Sequence, residues 1–312
     1  MRLVFLGSPP FATPVLERLA TSRFPPELVV TQPGRARGRG RKVAPSPLVE
    51  LARAQGLAVL EPETVRDPAV LERLRALEPD VFLVVSYGEI LRPEFLALPR
   101  VVALNVHPSL LPRHRGATPV PAAILAGDEV TGVAIQRIAQ QLDAGDLLLV
   151  RETPIRPGET AGELQARLGE WSGELVLEAL ELVDSGRARY TAQDHARATY
   201  CKKLEKEHGR IDWSQPALAL ERRVRAMNPW PGAFTRLASG AELFVWRARV
   251  AERPAAARDA TPGTLLEAGA RMLAAAGEGA LELLEVQLAG KRLLPAAEFL
   301  RGAHLLAGAR LG

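Results

Sequence analysis

Asn105 and His107 are the residues of this chain whose types and spacing could do chemistry. They follow an apolar run, Val101 to Leu104, which predicts a buried strand. Side chains two positions apart on a strand leave the same face of the sheet, so we expect the amide and the imidazole side by side. Pro108 cannot donate a hydrogen bond to a sheet and should end the strand. The pair is therefore predicted at the carboxyl end of a strand, where open α/β sheets bind ligands.

A carboxylate that could join this pair lies in the predicted turn from 141 to 146, which contains Asp143 and Asp146. Histidine can act as a general base or acid because its ordinary pKa lies near neutral pH. An aspartate beside it would orient the ring and favour its cationic form, and the Asn105 amide could donate to an oxygen that becomes negative in a tetrahedral intermediate. Because no Ser, Cys or Lys is placed as an obvious nucleophile, the attacking group would belong to the substrate. The residues fit acyl transfer, but they also fit a structural histidine and an Asx-capped turn.

The segments that must position these residues alternate between strand and helix patterns. Apolar runs predict strands at 2–6, 27–31, 57–60, 80–86 and 101–107, and segments with helical spacing separate most of them. This alternation predicts a doubly wound α/β domain with a parallel-rich, Rossmann-like sheet. The first loop, Gly7 to Pro10, lacks the GxGxxG pattern, which argues against a bound NAD.

The C-terminal third has a different pattern. Short strands are predicted at 233–237, 242–250, 263–267, 271–275 and 280–287, and this spacing is typical of a small β-barrel. A polar, basic stretch without sustained periodicity precedes them. We therefore predict a catalytic domain at 1–188, a linker at 189–208 and a C-terminal domain at 209–312.

Composition excludes several classes of protein. Hydrophobic residues make up 47% and charged residues 24%, as in ordinary globular proteins. The single cysteine, Cys201, excludes an internal disulfide, and the five histidines show no metal-ligand spacing. The N-terminal apolar run is too short for a signal peptide, and no apolar run is long enough to span a bilayer. We expect a cytoplasmic protein that binds neither a metal nor a membrane.

Positive charge is concentrated in two places. Residues 191–312 hold 18 Lys and Arg against 13 Asp and Glu, whereas residues 1–190 hold 22 against 23. Residues 28–49 contain no acid and five bases, which are Arg35, Arg37, Arg39, Arg41 and Lys42. Arginine in a Gly-rich loop suits contacts to phosphate oxygens, so the pattern indicates a polyanionic partner, with a merely solvated loop as the alternative.

Three motifs resemble the signature of folate-dependent formyltransferases. They are Asn105-Val-His107, the segment from Ser109 to Ala117, and Leu142-Asp-Ala-Gly-Asp146. The order of these motifs and the 36 residues from His107 to Asp143 agree with that family. Three further segments narrow the resemblance to those family members that act on an aminoacyl-tRNA, namely the basic loop at 31–47, Arg210 to Trp213 and Arg225 to Pro231. The resemblance covers nearly the whole chain.

This resemblance implies a reaction and a set of site residues. The formyl group of 10-formyltetrahydrofolate would pass to the α-amino group of methionine on initiator tRNA. Asn105, His107 and Asp143 would be catalytic, with Asn105 holding the formyl oxygen. The fold would be a Rossmann-like formyltransferase domain followed by an OB-like barrel, and we expect a monomer. The remaining assignments are folate binding by Ser109, Leu110, Leu111 and Pro112, and tRNA binding by Arg35, Arg37, Arg39, Arg41, Lys42, Lys203 and Lys206.

The chain departs from the usual family pattern at two positions. Pro10 stands where the family commonly has Asp, and Pro108 stands where Gly or Ala is usual. Neither change removes a catalytic group. Two other functions stay open, namely formylation of a small amine such as an amino sugar or nucleotide, and RNA binding on a degenerate enzyme fold.

Overall fold

A seven-stranded sheet organises the first of the two units into which the computed structural model divides. The structure describes residues 1–34 and 45–312. Unit 1 comprises Met1–Pro119, Val130–Pro154 and Gln165–Cys201, and unit 2 comprises Val120–Glu129, Ile155–Leu164 and Lys202–Gly312. Unit 2 thus includes two segments from within the predicted catalytic domain, and the predicted domain bounds stay a prediction.

The strands of unit 1 follow the apolar runs of the sequence. They are β1 (Leu3–Gly7), β2 (Leu28–Val30), β3 (Ala58–Leu60), β4 (Val81–Val85), β5 (Val102–His107), β6 (Arg115–Gly116), β7 (Val130–Arg137), β8 (Leu147–Pro154) and β9 (Tyr200–Cys201). The large sheet has the order β3-β2-β1-β4-β5-β7-β8. Strands β1 to β5 pair in parallel, while β7 runs antiparallel to both β5 and β8. The predicted α/β class with a parallel-rich sheet is confirmed.

The central strands of this sheet are buried on both faces because helices cover it. Every residue of β1 and β4 is buried, as expected for parallel strands packed between helices. Across both units, and not only on this sheet, the described helices are α1 (Ala12–Ala20), α2 (Pro47–Ala54), α3 (Pro68–Ala76), α4 (Pro93–Leu96), α5 (Pro119–Ala126), α6 (Ala161–Asp184), α7 (Ala217–Ala226) and α8 (Ala296–Ala303). Helix α3 has a favourable start, since Asp67 accepts a hydrogen bond from the backbone of Ala69 and Pro68 occupies the first turn.

Unit 2 contains a six-stranded antiparallel sheet. Its strands are β10 (Ala233–Arg236), β11 (Glu242–Ala251), β12 (Leu265–Ala268), β13 (Met272–Ala275), β14 (Ala280–Leu288) and β15 (Leu294–Pro295). The order is β10-β11-β14-β13-β12, with β15 paired to β14. The predicted C-terminal strands are confirmed, and helix α7 packs against β11 and β14. Within the described residues, no helix is long and apolar enough to cross a membrane.

Two features of unit 1 bring the chemistry-bearing residues together. The antiparallel pairing of β5 with β7 sets Asn105 opposite Gln136 and His107 opposite Ala134. The short parallel pair β6–β9 joins Arg115 and Gly116 to Tyr200 and Cys201. The second pair brings a segment that follows α6 back to the end of β5.

Candidate active site

Asp143 lies at the centre of a cluster of polar groups beyond the end of β5. Its Oδ2 accepts a hydrogen bond from the Gly116 backbone N–H at 2.8 Å, and its Oδ1 accepts one from Gln136 Nε2 at 3.0 Å. Asn105 Nδ2 lies 3.4 Å from the same Oδ1. The sequence predicts Asn105, His107 and Asp143 as a set, and the structure brings all three together.

A tight turn presents the Asp143 carboxylate to these donors. Asp143 has a positive φ of 49°, which few residues other than glycine, asparagine and aspartate adopt readily. Two residues later, a Cβ on Gly145 would overlap the backbone carbonyl oxygen of Arg137. The turn therefore needs glycine at position 145 because the chain passes directly against β7.

His107 is almost fully buried, with 4% of its surface exposed. Its Nε2 lies 2.9 Å from the carbonyl oxygen of His114, and its Nδ1 lies 3.7 Å from Asp143 Oδ2. A carbonyl oxygen can only accept a hydrogen bond, so Nε2 must carry the proton and donate it. In the neutral ring, Nδ1 is then the nitrogen with the free lone pair, and it faces Asp143.

Opposing effects act on the pKa of His107. Burial lowers the pKa of His107 below its ordinary value. The Asp143 carboxylate and the hydrogen bond to the His114 carbonyl oppose this effect, whereas the charges of His114 and Arg115 reinforce it. Asp143 thus favours the cationic form of the ring, as expected from the sequence, but burial has the larger and opposite effect on the pKa of His107. Burial outweighs the carboxylate because it removes the water that would solvate the imidazolium.

The lowered pKa of His107 predicts a pH dependence of folding. The unfolded chain binds a proton at the ordinary histidine pKa of about 6.5, and the folded chain binds it only at lower pH. Protons thus favour the unfolded state, so the free energy of unfolding should fall as the pH drops below about 6.5. Urea denaturation at a series of pH values would measure this fall.

A matched pair of histidine variants isolates the contribution of His107. His107→Gln should reduce the pH dependence, whereas His304→Asn should retain it, because His304 is exposed and asparagine tolerates its positive φ. Equal pH dependence in the wild type and His107→Gln would contradict the assignment.

Three further residues support the cluster, and sequence reasoning does not single them out. Gln136 is buried on β7, and Gln193 Nε2 contacts Gln136 Oε1 at 3.2 Å. The guanidinium of Arg115 is buried and binds Gln193 Oε1 through Nε and Nη2, at 3.2 and 2.6 Å. Gln136 could have been noticed as a polar residue inside an apolar strand. Gln193 lies in a segment without a periodic pattern, so nothing in the sequence points to it.

The predicted folate segment forms a turn that follows β5. Ser109 and Leu111 are buried, whereas Leu110 and Pro112 are half-buried. The Ser109 hydroxyl donates to the carbonyl oxygen of Arg113 at 2.6 Å, so it stabilises the turn itself. Folate binding by these four residues stays a prediction.

The predicted tRNA-binding residues divide into two groups. Arg35, Arg37, Arg39, Arg41 and Lys42 lie outside the described residues. Lys203 and Lys206 are exposed in unit 2. Lys206 Nζ lies 2.9 Å from both carboxylate oxygens of Glu242, which offsets its charge. Binding of tRNA by these seven residues stays a prediction.

Comparisons with known proteins place the chain among formyl transferases. The family model described as formyl transferase matches residues 1–180, and the one described as formyl transferase, C-terminal domain, matches residues 203–304. The methionyl-tRNA formyltransferase of Methylococcus capsulatus is 47% identical over 312 residues, covering 100% of both chains. That of Roseiflexus castenholzii is 49% identical over 313 residues, covering 100% of this chain and 99% of its own. The solved structure of HypX from Aquifex aeolicus, in complex with tetrahydrofolic acid, has a similar fold, with a TM-score of 0.62 and 22% identity over 96% of this chain and 47% of that chain.

Proposed function

Because this chain belongs to the formyl transferase family, we propose that it transfers the formyl group of 10-formyltetrahydrofolate to the α-amino group of methionine on initiator tRNA. The observation that carries the proposal is the cluster of Asn105, His107 and Asp143 in a chain whose full-length relatives are methionyl-tRNA formyltransferases. Tetrahydrofolate bound to a protein of similar fold supports a folate donor.

The reaction needs an attacking amine, a stabilised oxyanion and two proton transfers. The amine nitrogen forms a bond to the formyl carbon, and the formyl oxygen becomes negative. The bond between that carbon and N10 of the folate then breaks. The amine nitrogen loses a proton and N10 gains one, so tetrahydrofolate and a formamide are the products. The protein has to supply a hydrogen-bond donor for the oxygen and a group that holds the proton in transit.

His107 and Asn105 suit these two roles. Neutral His107 has its lone pair on Nδ1 and can accept the amine proton there, and the imidazolium that forms lies 3.7 Å from the Asp143 carboxylate. The Asn105 amide has two hydrogens, and its contact with Asp143 uses one. The other can donate to the formyl oxygen as that oxygen becomes negative.

Hydroxyl and thiol groups beside the cluster are poor nucleophiles. The Ser109 hydroxyl donates to the Arg113 carbonyl, and the Cys201 thiol lies 3.3 Å from the Arg115 carbonyl oxygen. Burial raises the pKa of the Cys201 thiol, which keeps it protonated. Direct attack by the amine of the acceptor therefore agrees with the site better than a covalent formyl-enzyme.

Charge distribution supports a tRNA acceptor over a small amine. Residues 28–49 contain five bases and no acid, and unit 2 includes the exposed Lys203. Contacts of this type bind the phosphate backbone, and their strength falls with salt because binding releases counterions. A small amine acceptor has no phosphate backbone of this length, so it would not need these basic residues.

Single substitutions of these bases should weaken tRNA binding measurably. Arg39→Ala and Lys203→Ala are each expected to reduce the salt slope of tRNA binding by about 1, while folate binding stays unchanged. Lys206→Ala is the matched control and should reduce the slope less, because Glu242 already offsets its charge. Binding titrations at several salt concentrations would measure the slopes. A larger loss in Lys206→Ala than in Lys203→Ala would contradict the assignment.

The proposed function is tested by comparing acceptors. Purified protein and 10-formyltetrahydrofolate would be mixed with methionyl-initiator tRNA, with free methionine, or with an amino sugar nucleotide, and the formylated product would be followed by mass spectrometry. We expect efficient transfer only to the charged tRNA. Efficient use of the sugar would favour the alternative acceptor, and tRNA binding without any transfer would indicate a degenerate enzyme. The monomeric state and cytoplasmic location expected from the sequence stay predictions.

A further inference from the structure

Gln193 makes more contacts with the Asp143 turn than its place in the sequence suggests. Its side chain is buried, with 5% of the residue exposed. Its Nε2 lies 2.9 Å from the carbonyl oxygen of Asp143 and 2.6 Å from that of Gly145. The amide therefore holds both the residue that carries the carboxylate and the glycine against which the turn closes.

Arg115 holds Gln193 in turn. It is 1% exposed, and its Nε and Nη2 donate to Gln193 Oε1. It also forms hydrogen bonds from Nη2 to His195 Nδ1 at 3.0 Å and from Nη1 to the Tyr200 hydroxyl at 3.4 Å, and its guanidinium lies 6.0 Å from the centre of the Tyr200 ring. None of these three partners is a carboxylate. A buried guanidinium held by such groups costs folding free energy, so a role beyond stability would account for it.

We propose that Gln193 and Arg115 are positioning residues for the formyl transfer, which hold the Asp143 carboxylate at its distance from His107. The inference rests on the proposed function. The amide of Gln193 acts on the backbone of the turn, and Arg115 fixes the amide's orientation. Neither group needs to touch the substrate.

The position of the Asp143 carboxylate matters because it accepts hydrogen bonds from three donors and also faces His107. Gly116, Gln136 and Asn105 all point at its two oxygens. The turn also has backbone hydrogen bonds, including one from the Arg137 N–H to the Asp146 carbonyl at 2.9 Å. Without Gln193 the turn should therefore still form, but in a displaced position. A shift of about 1 Å at reacting groups can cost about 100-fold in rate.

Arg115 also places a positive charge near His107. The charged or titratable groups that act on His107 are Asp143, which raises its pKa, and His114 and Arg115, which lower it. The Cys201 thiol contacts the carbonyl oxygens of His114 and Arg115. Removing the Arg115 charge should therefore raise the pKa of His107 and move the acid limb of the rate profile to higher pH.

Variants of Gln193 separate positioning from substrate binding. Gln193→Ala removes all the contacts, and Gln193→Glu keeps an oxygen for Arg115 but removes the donor to the two carbonyls. Both should lower kcat for methionyl-tRNA about 100-fold and change the folate KM by less than about threefold. Gln140→Ala is the matched control, since Gln140 is an exposed glutamine three residues before Asp143, and it should behave as the wild type.

Variants of Arg115 provide a readout that a merely structural role would not affect. Arg115→Met removes the charge and Arg115→Lys keeps it. We expect the acid limb to move to higher pH in the first and to stay in place in the second. An NMR titration of the histidine rings, with the His107 signal assigned by its loss in His107→Gln, measures the same shift without turnover.

The outcomes distinguish this inference from the proposed function. Wild-type kcat in Gln193→Ala and Gln193→Glu, with an active wild type, would overturn the positioning role and leave the function intact. If the wild type transfers no formyl group, the function fails and the positioning role falls with it. Wild-type kcat in folded Arg115→Met would overturn the role of Arg115 in orienting Gln193, and equal His107 titration in Arg115→Met and Arg115→Lys would overturn its effect on the pKa of His107. Should Arg115→Met fail to fold, the Gln193 variants still decide the positioning role.

Discussion

Replacing His107 with alanine or glutamine is expected to slow formyl transfer about 1,000-fold while folate binding changes by less than about threefold. The imidazole is the titratable group whose Nδ1 can take the amine proton, and neither replacement can do so near neutral pH. Glutamine keeps most of the side-chain volume and a donor that can reach the His114 carbonyl. A loss shared by both variants therefore reports on proton transfer and not on packing.

Single-turnover formylation, with folate affinity measured separately, tests this expectation. The control is His304→Asn, at an exposed position near the end of α8, which should keep the wild-type rate. If His107→Gln transfers the formyl group at near wild-type rate, His107 is not the proton carrier and the mechanism is wrong.

Asp143→Asn should reduce the rate by a comparable factor, about 1,000-fold, as when the aspartate beside a catalytic histidine is amidated in other enzymes. The carboxylate accepts hydrogen bonds on both oxygens, from Gly116 on one and from Gln136 on the other. Asparagine has one acceptor, so its amide group must face one of these donors. The variant also removes the negative charge that stabilises the His107 imidazolium.

The pH profile gives this second prediction a separate signature. Asp143 raises the pKa of His107 against the effect of burial, so its neutralisation should lower that pKa and move the acid limb to lower pH. Asp146→Asn is the matched control on the same turn and should stay within about threefold of the wild-type rate. A larger loss of rate in Asp146→Asn than in Asp143→Asn would contradict this prediction and would indicate that Asp146 is the aspartate that acts on His107.

Local patterns predicted the central part of the site well. The two-residue period of a strand places Asn105 and His107 on one face, and the apolar run from Val101 to Leu104 together with the break at Pro108 locates β5 correctly. The other predicted strands of both sheets also lie near their observed positions, because apolar patterns act within a few residues.

Long-range contacts explain what the sequence did not reveal. Nothing local links Asp143 to His107, and only the family resemblance paired them before the structure did. The contacts of Gln193 and Tyr200 with Arg115 depend on the path of the chain after α6, where no periodic pattern exists. The neutral state of His107 depends on burial, which a list of neighbouring charges cannot supply.

The short strand pair β6–β9 has a consequence for the order in which the protein matures during synthesis. All seven strands of the large sheet have emerged from the ribosome once Pro154 is free, but Gln193, Tyr200 and Cys201 follow about 40 residues later. A nascent chain that stops between these points contains the strands of the sheet but lacks the groups that hold the Asp143 turn. The catalytic centre is therefore completed after the sheet that carries it.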